Sequence, residues 1–234
     1  MKKALSLLAA VALIAAASSA MASTISSTKH NLSASGTTAY KGTGSQICVY
    51  CHTPHNAYTT APLWNRNAGR VTAGSFLLYS GVNMSNVSYK TGFTSDSISL
   101  FCMSCHDGSV LGDTMIKNVP LGEPAGLGNT NAIPSNVKAN LVASTSSTTG
   151  DLRTTHPVNF PVAQSTQGDL QGVTGGTTMG TTGQFPLFKA TRSGVQTTNS
   201  LECSSCHSVH DNTNAPFLRT TNAGSALCLG CHNK

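Results

Sequence analysis

The sequence predicts a mostly irregular polypeptide, with few short helices and strands, whose interior is filled by prosthetic groups and not by its own side chains. Three observations predict this. First, the 234 residues hold only 9% charged and 6% aromatic side chains and 22 glycines, and a chain so composed is a poor builder of its own core. Second, all eight cysteines fall in C-x-x-C-H motifs: Cys48/Cys51/His52, Cys102/Cys105/His106, Cys203/Cys206/His207 and Cys228/Cys231/His232. Third, four further histidines, His30, His55, His156 and His210, lie outside these motifs.

A C-x-x-C-H motif is the attachment site of a c-type haem. Two thiols form thioether bonds to the vinyl groups, and the histidine ligates the iron. In one helical turn residues i and i+3 share a face, so both sulfurs reach one edge of the ring. At these Cys and His frequencies chance would supply only about 0.01 such motifs. A disulfide framework or paired zinc sites would account for the cysteines but leave a histidine after every second Cys unexplained. Four haems with two axial histidines each need eight, and the chain has eight. The matched count predicts four six-coordinate, bis-histidine irons.

In chain order, residues 1–22 read as a secretory signal peptide: Lys2 and Lys3, an apolar run from Ala4 to Ala16, and the A-x-A site Ala20-Met21-Ala22. The run is too short and Ala-rich for a good span, so cleavage is preferred to a retained anchor. The mature chain, 23–234, is expected outside the cytoplasm, where c-type haem is attached, with no membrane span. Without Lys2 and Lys3 there are 12 basic and 8 acidic residues, a net of +4. Eight propionates would offset this, so the basic balance does not argue for nucleic acid.

His30 sits in the Gly/Ser/Thr-rich segment 23–47. It reads as a distal ligand, either to a haem of its own chain or, from so terminal an arm, to one of a neighbour. Residues 48–106 carry the first two haems. CVYCHTPH and CSSCHSVH share a C-x-x-C-H-x-x-H arrangement. The histidine three residues on, His55 or His210, cannot easily reach the far face of its own haem, so each is expected to ligate another, drawing two haems together. Trp64 packs either on a porphyrin or in the core, and SFLLYSGV reads as strand or helix.

Residues 107–200 form a haem-free insertion of loops and short strands, such as VNFPVA. STSSTTG and TGGTTMGTTG read as exposed low-complexity runs, with hydroxyls that could carry sugars. His156 precedes a proline, which biases it to an extended backbone that could point its ring inward. If one outside histidine were not a ligand, Met84, Met115 or Met179 could replace it. Residues 201–234 form a doubled module for haems three and four.

CHTPHNA, CMSCHDGSV, THPVNFPV and CSSCHSVHDNTNAPFLRTTNAGSALCLGCH resemble the words of multihaem cytochromes c with a doubled C-x-x-C-H module. Motif order, haem number, length and the early HNLS histidine are most similar to OmcE-type tetrahaem cytochromes, which polymerise into extracellular filaments that conduct electrons from metal-reducing bacteria. The resemblance runs from about Lys29 onward, with no matching word between Gly112 and Thr155. It implies bis-histidine haems, an extracellular metal or other acceptor, redox-protein partners, and a homopolymer in which one distal histidine comes from the neighbouring subunit. By position that histidine is His30, which precedes every motif.

The residues themselves leave three functions open: a filament subunit, a soluble periplasmic carrier, or a multihaem oxyanion reductase. A reductase needs one open haem, often marked by Lys in place of the motif histidine, and no such variant occurs. An adhesive protein merely stapled by haems is the weakest reading.

Overall fold

The computed structural model describes residues 25–59, 62–66, 73–79, 92–108, 141, 150–162, 170–171 and 175–233. The stretch read as a signal peptide, Met84, Met115 and nearly all of STSSTTG lie outside them.

A 3-10 turn, Cys48–Tyr50, opens the series. It is followed by β1 (Phe76–Leu78), α1 (Ser99–His106), β2 (Gly150–Leu152) and β3 (Phe160–Pro161). Then come β4 (Thr178–Met179), β5 (Phe185–Pro186), β6 (Phe188–Arg192) and β7 (Val195–Leu201). Two single-turn helices close it, α2 (Cys203–Cys206) and α3 (Ala226–Leu229). Phe76–Leu78, ambiguous in the sequence, is a strand, and it pairs in parallel with β2.

The longest pairing among the described residues is the β6–β7 hairpin, which runs from Arg192↔Val195 to Phe188↔Ser200 with a register shift between Phe188 and Ala190. Its two-residue turn places Ser193 at φ 48° and Gly194 at φ 79°. Two positive φ values match the twist of antiparallel strands, and glycine meets the second at no steric cost. β3 joins the other edge of β7 through Phe160↔Leu201 and Pro161↔Ser200. Strand β7 runs directly into the third motif, so the sheet sets where that motif begins.

Among the described residues, three small hydrophobic clusters take the place of one large core, and each backs an attachment motif. Phe76, Leu78, Phe93 and Leu152 enclose Met103 of the second motif. Phe160, Val162, Met179, Phe185, Leu187 and Leu201 pack against Leu227 and Cys231 of the fourth. Leu32 joins Val49 and Tyr50 of the first, with Cys51 at its edge. The TGGTTMGTTG run departs from the exposed loop expected of it: Thr178–Met179 pairs with Phe185–Pro186, and Met179 is buried in the second cluster. Its apolar side chain finds more contact there than the run's composition announced.

Candidate haem sites

Each motif forms one helical turn. The amide of the closing residue returns to the first cysteine carbonyl at His52–Cys48 (2.8 Å), His207–Cys203 (3.1 Å) and His232–Cys228 (2.9 Å), and the second motif lies wholly in α1. The cysteines therefore share a face, as i, i+3 spacing requires. Of the residues between them, Val49, Tyr50, Met103, Ser104, Ser205 and Gly230 are buried, while Ser204 is half-buried and Leu229 exposed. None of the eight cysteines is in a disulfide.

Thiols of consecutive motifs are neighbours. Burial pushes Cys51 up to about 12, with Cys105 adding to it. Burial likewise pushes Cys206 up to about 11, with Cys231 adding to it. Cys102 and Cys203 share a hydrogen bond, which raises the first and lowers the second.

The first and third motifs sit in matching frames. In the first, the Thr53 amide donates to the Leu63 carbonyl (2.9 Å) and the Asn65 amide to Cys51 (2.8 Å). In the third, the Ser208 amide donates to Phe217 (2.7 Å) and the Arg219 amide to Cys206 (3.0 Å). His52 Nδ1 donates to the Pro62 carbonyl at 2.8 Å, and His207 Nδ1 to the Pro216 carbonyl at 3.1 Å. Both prolines are followed by a left-handed residue, Leu63 at φ 61° and Phe217 at φ 60°. With Nδ1 engaged by a carbonyl, each ring has Nε2 left for a metal. The sequence holds a signal for this frame beyond the shared C-x-x-C-H-x-x-H: Ala61-Pro62-Leu63 and Ala215-Pro216-Phe217 recur at nearly equal distance from the motif. Trp64 is the frame's bridge to the second motif. It stands edge-on to His52 at 5.6 Å and 5.1 Å from Phe101, with Nε1 donating to Ser104 Oγ at 3.3 Å. Buried Arg66 reaches the Ser104 carbonyl at 3.4 Å.

Three pairs of histidines face each other. Ring centres of His52 and His210 are 6.0 Å apart, those of His30 and His106 6.1 Å, and those of His156 and His232 6.5 Å. Every pair joins a motif histidine to one outside the motifs. Two imidazoles bound to opposite sides of one metal, with bonds of about 2.0–2.1 Å, hold their ring centres roughly 6.3 Å apart. The three spacings fit a haem iron. His30 stacks on Phe217 at 4.4 Å, and burial, then His106, His207 and His210, push it down to about 4. It is thus neutral with a free lone pair at ordinary pH. His156 is exposed, with Nδ1 donating to the Pro157 carbonyl at 2.9 Å. His55 and His207 are both exposed. Met179 is committed to its cluster.

Among the described residues no three His, Cys, Asp or Glu side chains converge as a site for a bare metal ion. No described helix is long and apolar enough to cross a membrane.

Residues 196–234 match the family model described as the doubled CXXCH motif. This stretch is a haem c module, of the kind found in multihaem c-type cytochromes that transfer electrons. No curated protein matches the chain.

Proposed function

We propose that the chain is a tetrahaem, bis-histidine c-type cytochrome whose copies join into an extracellular electron-conducting filament. The observation that carries the electron-transfer reading is the three facing histidine pairs, each of one motif histidine and one outside histidine. Bound haem c supplies a one-electron centre. The cysteines of each motif would anchor it, and the two facing histidines would hold its iron and leave no place for a substrate there. The fourth pair is His207 with His55. His210, three residues after His207, faces His52; His55, three residues after His52, makes the reciprocal ligand in the matching frame. The loop-rich fold wraps the resulting row, and neighbouring thiols of consecutive motifs support its order.

The pairing of His30 with His106 inside one chain supports the intrachain alternative for His30. This departs from the resemblance, in which one distal histidine crosses between subunits. His30→Ala separates the two. A high-spin second haem in an isolated monomer supports the intrachain ligand. A monomer spectrum unaffected by the substitution, with assembly lost, supports the crossing one.

The tests are direct. Mass spectrometry counts the haems. Carbon monoxide added to the reduced protein should leave the Soret band unmoved; binding would favour the reductase. Thin, regular filaments in the haem-stained fraction sheared from cells would support the polymer. Small particles confined to the periplasmic fraction would replace it with a soluble carrier. Export itself follows from the N-terminal reading of residues 1–22.

A further inference from the structure

Only two glutamates occur in the chain, Glu123 and Glu202, and Glu202 is completely buried. It lies where the second and third motifs meet. Ser97 Oγ and Ser99 Oγ both donate to Glu202 Oε2 at 2.6 Å, and Ser200 Oγ donates to Oε1 at 2.7 Å. Ser99 is the first residue of α1, which carries Cys102 and Cys105. Glu202 directly precedes α2, which carries Cys203 and Cys206. Its own amide donates to Ser205 Oγ at 3.0 Å, and the Cys203 amide donates to Ser99 Oγ, also at 3.0 Å. One carboxyl group thus ties both attachment helices together, beside the Cys102–Cys203 thiol contact.

The hydrogen bonds around Glu202 favour one charge state. A hydroxyl has one proton to give. Ser97 Oγ accepts the Ser99 amide at 3.3 Å, Ser99 Oγ accepts the Cys203 amide, and Ser200 Oγ accepts the Arg192 guanidinium at 3.3 Å. With those acceptor positions filled by N–H groups, all three protons are aimed at Glu202. Three donors converging on two oxygens favour a carboxylate over a carboxylic acid, whose own proton would need an acceptor. Burial is the largest influence and leaves the Glu202 carboxyl above its ordinary value, while the three hydroxyls and Arg192 pull it back toward the charged form. A neutral amide could span the same helices; a charge kept out of water is costly unless it is used.

We propose that Glu202 is a positioning residue that sets the second and third haem sites: as a buried carboxylate it locks their attachment helices together and holds down the reduction potentials of both. A fixed negative charge disfavours adding an electron nearby, and the dry surroundings screen it little. Matched, lowered potentials at this junction keep electrons from being trapped midway along the row. The proposal rests on haem attachment at Cys102/Cys105 and Cys203/Cys206.

The experiment uses the mature, full-length holoprotein labelled with 13C-carboxyl glutamate in cells supplied with unlabelled 5-aminolaevulinate and aspartate, so that aspartates and propionates stay silent. Reduced-minus-oxidised infrared spectra should show a labelled carboxylate stretch that shifts on reduction and survives Glu123→Gln. No such band, or a labelled carboxylic-acid band in its place, overturns the proposal, and this reading needs no change at Glu202. In spectroelectrochemical titration, Glu202→Gln should move two of four steps upward and leave two in place. Glu202→Asp keeps the charge while shortening the reach, and should move them less. A larger shift for Asp than for Gln, or no shift in Gln, assigns Glu202 to packing alone and overturns the electrostatic role. Haem counting by mass keeps the two readings apart. Fewer than four haems in the natural chain fails the tetrahaem reading; four haems with unmoved potentials fails this one.

Discussion

Gly230, between the cysteines of the fourth motif, offers a sharp test of how the fold holds its attachment sites. Its backbone, φ −66° and ψ −19°, is ordinary right-handed helix that any residue adopts, and helix propensity alone favours alanine there by up to about 1 kcal/mol. The neighbours say the opposite. A Cβ at Gly230 would lie 2.2 Å from Phe185 Cε2 and 2.7 Å from Cζ, and Phe185 is 0% exposed. The ring has no free side to move toward, because Phe160, Val162, Met179, Leu187 and Leu201 enclose it. Overpacking of this kind costs about 1–3 kcal/mol, which outweighs the propensity gain. Gly230→Ala should therefore lower the stability of the holoprotein by about 1–2 kcal/mol, or roughly 2–8 °C in Tm for a chain of this size. Urea unfolding followed by far-UV circular dichroism measures it, with haem content checked as equal. In a Phe185→Leu background, where the ring is gone, the same glycine substitution should cost less than half as much. Equal costs in both backgrounds, or a stabilised single variant, would refute the reasoning.

Other outcomes follow from the same geometry. Phe217→Ala removes the ring stacked on His30 at 4.4 Å; the His30 imidazole should lose its fixed plane, currently 56° from that of His106, and one component of the low-spin electron paramagnetic resonance spectrum should broaden while the others stay. Gly194→Ala forces an alanine to φ 79° in open space and should cost about 1 kcal/mol through backbone strain alone, read in the same urea assay. The Asp151 carboxyl is held down to about 2 from 3.8 by the Arg153 guanidinium, 2.7 Å away. A depressed carboxylate contributes its stability above its ordinary value and loses it as pH falls through the folded one, so the carbon-13 titration midpoint of Asp151 should lie near 2 and return toward 3.8 in Arg153→Ala. Expression without haem attachment should yield a chain lacking cooperative unfolding, since clusters of three to six buried side chains are too small to hold it.

The attachment turns were legible because their chemistry is local: i, i+3 spacing alone decides which way two cysteines face. The long-range partners were less so. That His210 belongs opposite His52 was half visible in the repeated C-x-x-C-H-x-x-H, while His30 opposite His106 depends on seventy-odd residues of intervening chain that no periodicity describes. VNFPVA announced β3, but the hairpin formed by FKATR and VQTTNSL was not recognised, although Ser-Gly between two such runs is a hairpin signal. The Glu202 cluster was invisible in sequence. Its four side chains, Ser97, Ser99, Ser200 and Glu202, come from segments about a hundred residues apart, and serine in this chain is too common to mark them.

The burial of most residues between the cysteines has a consequence for how such pentapeptides are inherited. Two readers inspect each one. The attachment machinery inspects the invariant letters, while the folded chain inspects the letters written x. Tyr50 would not fit where Gly230 lies against Phe185, and Gly230's absence of a side chain would leave Leu32 and Val49 facing a void. The four signatures are therefore not spare copies of one another: exchanging two of them keeps every haem-binding letter and still misdirects the fold.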